Sequence, residues 1–170
     1  MSDDRTREIF ITGLKNAHAM EKQALSIMKP QLSRIENYPD VAQRLEMHFR
    51  ETEGQITRLE EILSGLGDDH STLKDMALSF AGTMAAAGHI FAGDEILKNS
   101  FANFAFENFE IAAYKSLITL AELGGFPGNV SGLQTNLDEE IAMAKWLEDN
   151  LRPTTVKFAN FKEAGETAKI

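Results

Sequence analysis

Apolar residues spaced by three and four recur along this chain. In three such stretches a glutamate stands where the spacing calls for an apolar side chain. The first stretch reads Phe10, Leu14, Ala17, Glu21, Ala24, Met28. Another reads Phe106, Glu110, Ala113, Leu117, Leu120, and the last Leu133, Leu137, Glu140, Ala144, Leu147, Leu151. This spacing marks the inward face of an amphipathic helix. A carboxylate fully buried on that face costs several kcal/mol to desolvate unless paired or bound to a cation, and a single one is more often an edge residue whose head reaches water. Three on strict seams favour packed helices whose core has a use for carboxylates.

A fourth stretch is centred on Leu45, Phe49, Thr52, Ile56, Leu59 and Leu63. Glu51 lies about a quarter-turn off that centre, on a polar edge with His48 and Gln55. Residues three and four apart share such an edge, which faces either a neighbouring helix or water. A shift of 89 residues carries Glu21 onto Glu110 and Glu51 onto Glu140. It also carries Ala24 onto Ala113 and Met28 onto Leu117, but Leu59 onto Glu148, so the repeat is partial. One glutamate per helix converging on a pseudo-twofold axis is the expected geometry.

The breaks between these stretches are clear. "ENYPD" is a turn with Asp40 as a candidate N-cap, and "GLGDDHS" and "GGFPGN" end two further helices. The spacing predicts helices over about 3–28 or a little past Pro30, 40–64, 94–123 and 130–150, with 151–170 as a short extended tail. Between the second and third lies a connection of about 28 residues, rich in Ala, Gly and Met, expected to contain one or two short helices. Two antiparallel hairpins joined by one long crossover is the arrangement of ferritin-like four-helix bundles. The fold class expected is all-α, as one domain spanning residues 1–170, with no period-2 strand pattern.

Composition narrows the partners. A formal net charge of −9 argues against nucleic acid and anionic lipid. No apolar stretch reaches the length of a membrane span. The opening "MSDDRTREIF" has no apolar h-region, so no secretory signal is expected. The chain has no cysteine, which excludes disulfides and thiolate metal sites and fits a reducing compartment. The expected location is the cytoplasm. Four buried carboxylates would be neutralised by two dications, and hard oxygen ligands suit Fe, Mn or Mg.

Four segments, "AMEKQALSIM", "HFRETEGQITRLEEI", "ENFEIAAYKSLITLAELG" and "NLDEEIAMAKWLEDN", resemble the YciF/YciE-like family of bacterial stress-associated proteins in the ferritin-like superfamily. The resemblance covers about residues 6–150. It implies a bundle with a rubrerythrin-like dimetal centre and a homodimer; the cofactors expected here, from the ligand chemistry, are one or two Fe or Mn ions per chain. Glu21, Glu51, Glu110 and Glu140 match the metal-facing carboxylates of that family, and His48, Gln55 and Glu107 match positions near them. Asn108 and Phe109 stand where the family carries a His-Tyr pair, and Ala144 where it carries Asp. The Glu-x-x-His signature of ferritin-like sites is missing: Gly54 follows Glu51 at the third position and Met143 follows Glu140. Either His48 replaces one standard ligand in a carboxylate-rich centre, or a single ion binds. Two functions follow from this: metal-dependent oxidation or peroxide handling in stress response, or a non-catalytic structural bundle with a lone or vestigial site. No catalytic residue is assigned.

Smaller candidates are read as structural. His18 is expected at a helix edge, His70 in an exposed turn, His89 packed in the crossover, and Glu139 on the surface. Tyr114 is expected as a core tyrosine, with a hydrogen bond to a ligand carboxylate as its other reading.

Overall fold

A computed structural model describes residues 3–68 and 92–170. The expected crossover helices, His70 and His89 lie outside these residues. Among those described there are four helices and no strand: α1 (Asp3–Leu32), α2 (Pro39–Gly65), α3 (Glu95–Leu123) and α4 (Pro127–Glu163).

Each helix packs against two neighbours. α1 lies beside α2 and α3, and α4 lies beside the same two. Cross-helix contacts give their directions. His18 meets Glu60 while Arg7 reaches Leu66, so α1 and α2 are antiparallel. Tyr114 meets Glu21 and Asn103 meets Gln31, so α3 runs against α1. Gln55 meets Glu140 and Arg58 meets Asn136, so α4 runs against α2. α2 and α3 therefore run the same way across a diagonal. The end of α2 and the start of α3 thus lie toward opposite ends of the bundle, about 40 Å apart for helices of this length. That separation accounts for the larger number of residues between α2 and α3 than between the helices of either hairpin.

The core follows the predicted seam most closely in α1, where Phe10, Leu14, Ala17, Glu21, Ala24 and Met28 are all buried. In α3 the buried line is rotated by about one position. Glu107, Glu110, Tyr114, Leu117 and Ala121 face inward, whereas Ala113 and Leu120 are only partly buried. α2 turns His48 and Gln55 into the core and leaves Phe49 and Glu51 at its margin. At the α3–α4 turn, Gly125 adopts a φ of 76°, and a side chain on Gly124 would strike the Phe126 ring at 2.6 Å. This close fit seats Phe126 on Phe10 with ring centroids 5.3 Å apart.

Two helix boundaries differ from expectation. The N-cap of α2 is Tyr38, without a side-chain cap, and Asp40 lies in the first turn, where its charge favours the helix dipole. The larger correction concerns 151–170. α4 continues through Pro153 to Glu163 instead of ending near Asn150. Pro153 is exposed, so the carbonyl freed by its missing N–H can be met by water. The added turns pack on Tyr38, whose ring meets Phe161 edge-on at 6.1 Å. Residues 164–170 then fold back, burying Ala168 and Ile170.

Candidate metal centre

Near the middle of the bundle the four helices bring together Glu21 from α1, His48 from α2, Glu107 and Glu110 from α3, and Glu140 from α4. One ligand-type atom from each of His48, Glu107, Glu110 and Glu140 lies within 4.8 Å of the others. Glu21, Glu110 and Glu140 are wholly inaccessible to solvent. Glu51 stands outside this group at the half-buried margin. Its Oε2 accepts from Arg44 at 3.0 Å and lies 2.9 Å from His48 Nδ1.

The hydrogen bonds are incomplete in an informative way. Five buried carboxylate oxygens make no hydrogen bond of good geometry: Glu21 Oε2, both oxygens of Glu110, and Glu107 Oε2 and Glu140 Oε2, the last two facing only the His48 imidazole. Buried polar atoms in folded proteins nearly always have a partner, so five converging orphans mark a place for something electropositive. The other oxygens of Glu21 and Glu140 are held. Tyr114 donates its hydroxyl to Glu21 Oε1 at 2.6 Å, and Gln55 Nε2 donates to Glu140 Oε1.

Without a cation the carboxyl groups answer by holding protons. Burial pushes Glu21 up to about 8, against the pull of Tyr114 and His48. Burial, then the charge of Glu21 and of Glu140, lifts Glu110 well above the usual carboxylate range. Glu140 is raised by burial and by Glu107. His48 moves the other way in charge. Burial pulls it down, but Glu107 and Glu51 outweigh that and raise it to about 9. Its Nε2 lies 3.2 Å from Glu107 and 3.4 Å from Glu140. In the metal-free protein His48 is therefore the cation of the cluster. Glu51, stabilised as the anion chiefly by His48, holds Nδ1 and leaves Nε2 facing inward. A carboxylate on one imidazole nitrogen, with the second nitrogen turned to the cluster, is the usual support of a metal-ligating histidine.

Of the residues singled out from sequence, Glu21, His48, Glu107, Glu110 and Glu140 converge, and Glu51 touches the cluster only through His48. His18 bonds Glu60 at 2.8 Å, across the α1–α2 contact. Glu139 is half-buried and paired with Arg58 rather than free on the surface. The sequence reading missed Asn136, Arg58 and Arg44. Asn136 had a signal: it stands three residues after Leu133 and four before Glu140, on the inward face, and it is fully buried.

Fold and site together define an all-α bundle that encloses a histidine–carboxylate cluster. Residues 5–160 match the family described as a domain of unknown function, DUF892, and the chain belongs to that family. It is 29% identical over 143 residues to Protein YciF of Escherichia coli K12, covering 79% of this chain and 83% of that protein. It also resembles a crystal structure of a Xanthomonas campestris protein, at 31% identity and a TM-score of 0.79 over 94% of this chain and 99% of that one. The crystal structure of the E. coli stress protein YciF aligns with a TM-score of 0.73 and 26% identity, over 86% and 94% of the two chains. The resemblance read from the sequence is thereby supported, as is the all-α bundle. No described helix is long and apolar enough to cross a membrane.

Proposed function

We propose that this chain binds one or two Fe or Mn ions at the central cluster and serves metal-dependent oxidation or peroxide handling in a stress response. The observation that carries this reading is the set of five buried carboxylate oxygens, converging from three helices, that make no hydrogen bond of good geometry and meet no cation but His48. Glu107, Glu110, Glu140 and His48 Nε2 would hold an ion, with Glu21 Oε2 completing its surroundings. An oxygen-rich set of this kind suits Fe, Mn or Mg. Such an ion, when bound, supplies a Lewis-acidic and redox-active centre. The chain's own residues do the rest. Gln55 and Tyr114 orient the outer oxygens of Glu140 and Glu21, Glu51 orients His48, and the surrounding apolar core excludes water.

A second reading has its own observation. His48 already occupies the space between Glu107 and Glu140 and can satisfy part of the negative charge alone. This favours a bundle with a single ion or none, acting as a structural protein. The homodimer implied by the resemblance and the cytoplasmic location expected from composition belong to the first reading. Light scattering on the purified chain tests the dimer.

Elemental analysis separates the two readings. Protein purified without added metal, then soaked with Fe(II) or Mn(II) and desalted, should retain one to two ions per chain. Glu21→Ala and Glu110→Ala should each lower that number. Retention below about 0.2 ions per chain in the wild type would rule out the metal reading.

A further inference from the structure

Arg58, at the half-buried margin of α2, donates through Nε to Asn136 Oδ1 and pairs through its second nitrogen with Glu139. Asn136 Nδ2 lies 2.9 Å from the hydroxyl of Tyr114. Tyr114 in turn reaches Glu21 Oε1. All four helices contribute to this line, which runs from the bundle's edge to a carboxylate wholly shielded from solvent.

Its direction is fixed by chemistry. A guanidinium has five donors and no acceptor, so the Asn136 atom facing Arg58 must be the oxygen. The amide nitrogen then faces Tyr114 and donates to it. With a lone pair engaged, the Tyr114 hydroxyl turns its own proton toward Glu21. An arginine at one end therefore decides which way a hydroxyl points two side chains along. The consequence at Glu21 is an asymmetry: Oε1 is committed to Tyr114, while Oε2 is buried and has no donor. Glu110, its counterpart under the 89-residue shift, has neither oxygen held.

We propose that Arg58 and Asn136 are positioning residues which, acting through Tyr114, fix the Glu21 carboxylate so that only Oε2 is presented to a cation in the central cluster. The proposal rests on the metal-binding reading. It adds that the relay, not Glu21 alone, sets how that ligand is offered. Outer groups that orient a ligand typically alter metal affinity by about 10–100-fold.

The test uses the full chain freed of metal, titrated calorimetrically with Mn(II) and examined by visible absorption with Co(II). Asn136→Leu and Arg58→Met are each expected to weaken Mn(II) binding by about 10-fold and to alter the cobalt bands without changing stoichiometry. Arg58→Lys, which keeps a donor, should recover part of the loss. In a Tyr114→Phe background, Asn136→Leu should have no further effect, because its route to Glu21 is already cut. Unchanged affinity and spectrum, or effects that simply add to those of Tyr114→Phe, would overturn the relay.

If the wild type takes up neither ion, the metal-binding reading fails, and the relay is still decided in the metal-free protein. The chain has two tyrosines, so the Tyr114 hydroxyl proton is identified by its loss in Tyr114→Phe. Its slow exchange should vanish in Asn136→Leu, and an unaltered resonance there would refute the proposal. If Asn136→Leu does not fold, as judged by circular dichroism, Arg58→Met at the margin carries the same comparison.

Discussion

Glu110 concentrates the chemistry of this molecule in one side chain. Both its oxygens are buried and donor-less, and burial together with Glu21 and Glu140 holds its proton on well above the usual range. Glutamine has nearly the same shape as that protonated form and cannot be deprotonated. Glu110→Gln is therefore expected to leave metal-free stability near pH 5 almost unchanged and to raise it by about 1–3 kcal/mol at pH 8. It should also abolish the rise in Tm that Mn(II) gives the wild type. Urea unfolding at both pH values checks this, and a destabilised variant at pH 8 would contradict it. Glu21, Glu110 and Glu140 were legible in the sequence because a charge in an apolar repeat is an energetic anomaly. Asn136 is neutral, so the same repeat raised no alarm there, although its position was equally diagnostic. Arg58 could not be found that way, because its role depends on a contact between α2 and α4 across 78 residues.

At the scale of helices, periodicity located all four elements and misjudged where the last one ends. Pro153 reads as a stop because it removes an N–H and crowds the preceding turn. The helix continues because its later turns have something to pack on. Tyr38 is buried, its ring meets Phe161, and its hydroxyl donates to the Ala168 carbonyl at 2.7 Å. Ile96 N–H donates to the Lys169 carbonyl at 2.9 Å, tying the same segment to α3. These tertiary contacts outweigh a local breaker, and a one-dimensional pattern does not contain them. Tyr38→Phe keeps the ring and strands the carbonyl of Ala168. It is expected to cost about 1–2 kcal/mol in urea unfolding while metal stoichiometry stays the same. A loss of bound metal in Tyr38→Phe would mean that the end of the bundle and its centre are coupled.

The bundle as a whole sets carboxylates from helices of both hairpins against one another in a dry interior, and this gives the metal-free protein a distinctive response to pH. A group whose proton is held more tightly in the folded than in the unfolded chain stabilises the fold below its unfolded pKa. That stability is lost as pH rises through the folded value. Glu21 goes from an ordinary 4.5 to about 8, so its contribution fades across that interval. His48 goes from 6.5 to about 9, so its contribution fades from 6.5 upward, in the same direction. Glu51 is lowered, and its contribution is lost only as pH falls below the ordinary carboxylate range. The window from pH 5.5 to 8 therefore isolates the cluster. Metal-free protein should lose at least about 5 °C of Tm across it, roughly 2 kcal/mol for a chain of this size. Saturating Mn(II) displaces the protons and should flatten or reverse that slope, with protons released on binding and affinity rising with pH. Calorimetric scans with and without the ion, in buffers of matched ionic strength, measure both slopes. A metal-free Tm that is level or climbs from pH 5.5 to 8 would mean that the buried carboxyl groups do not hold their protons as the geometry requires.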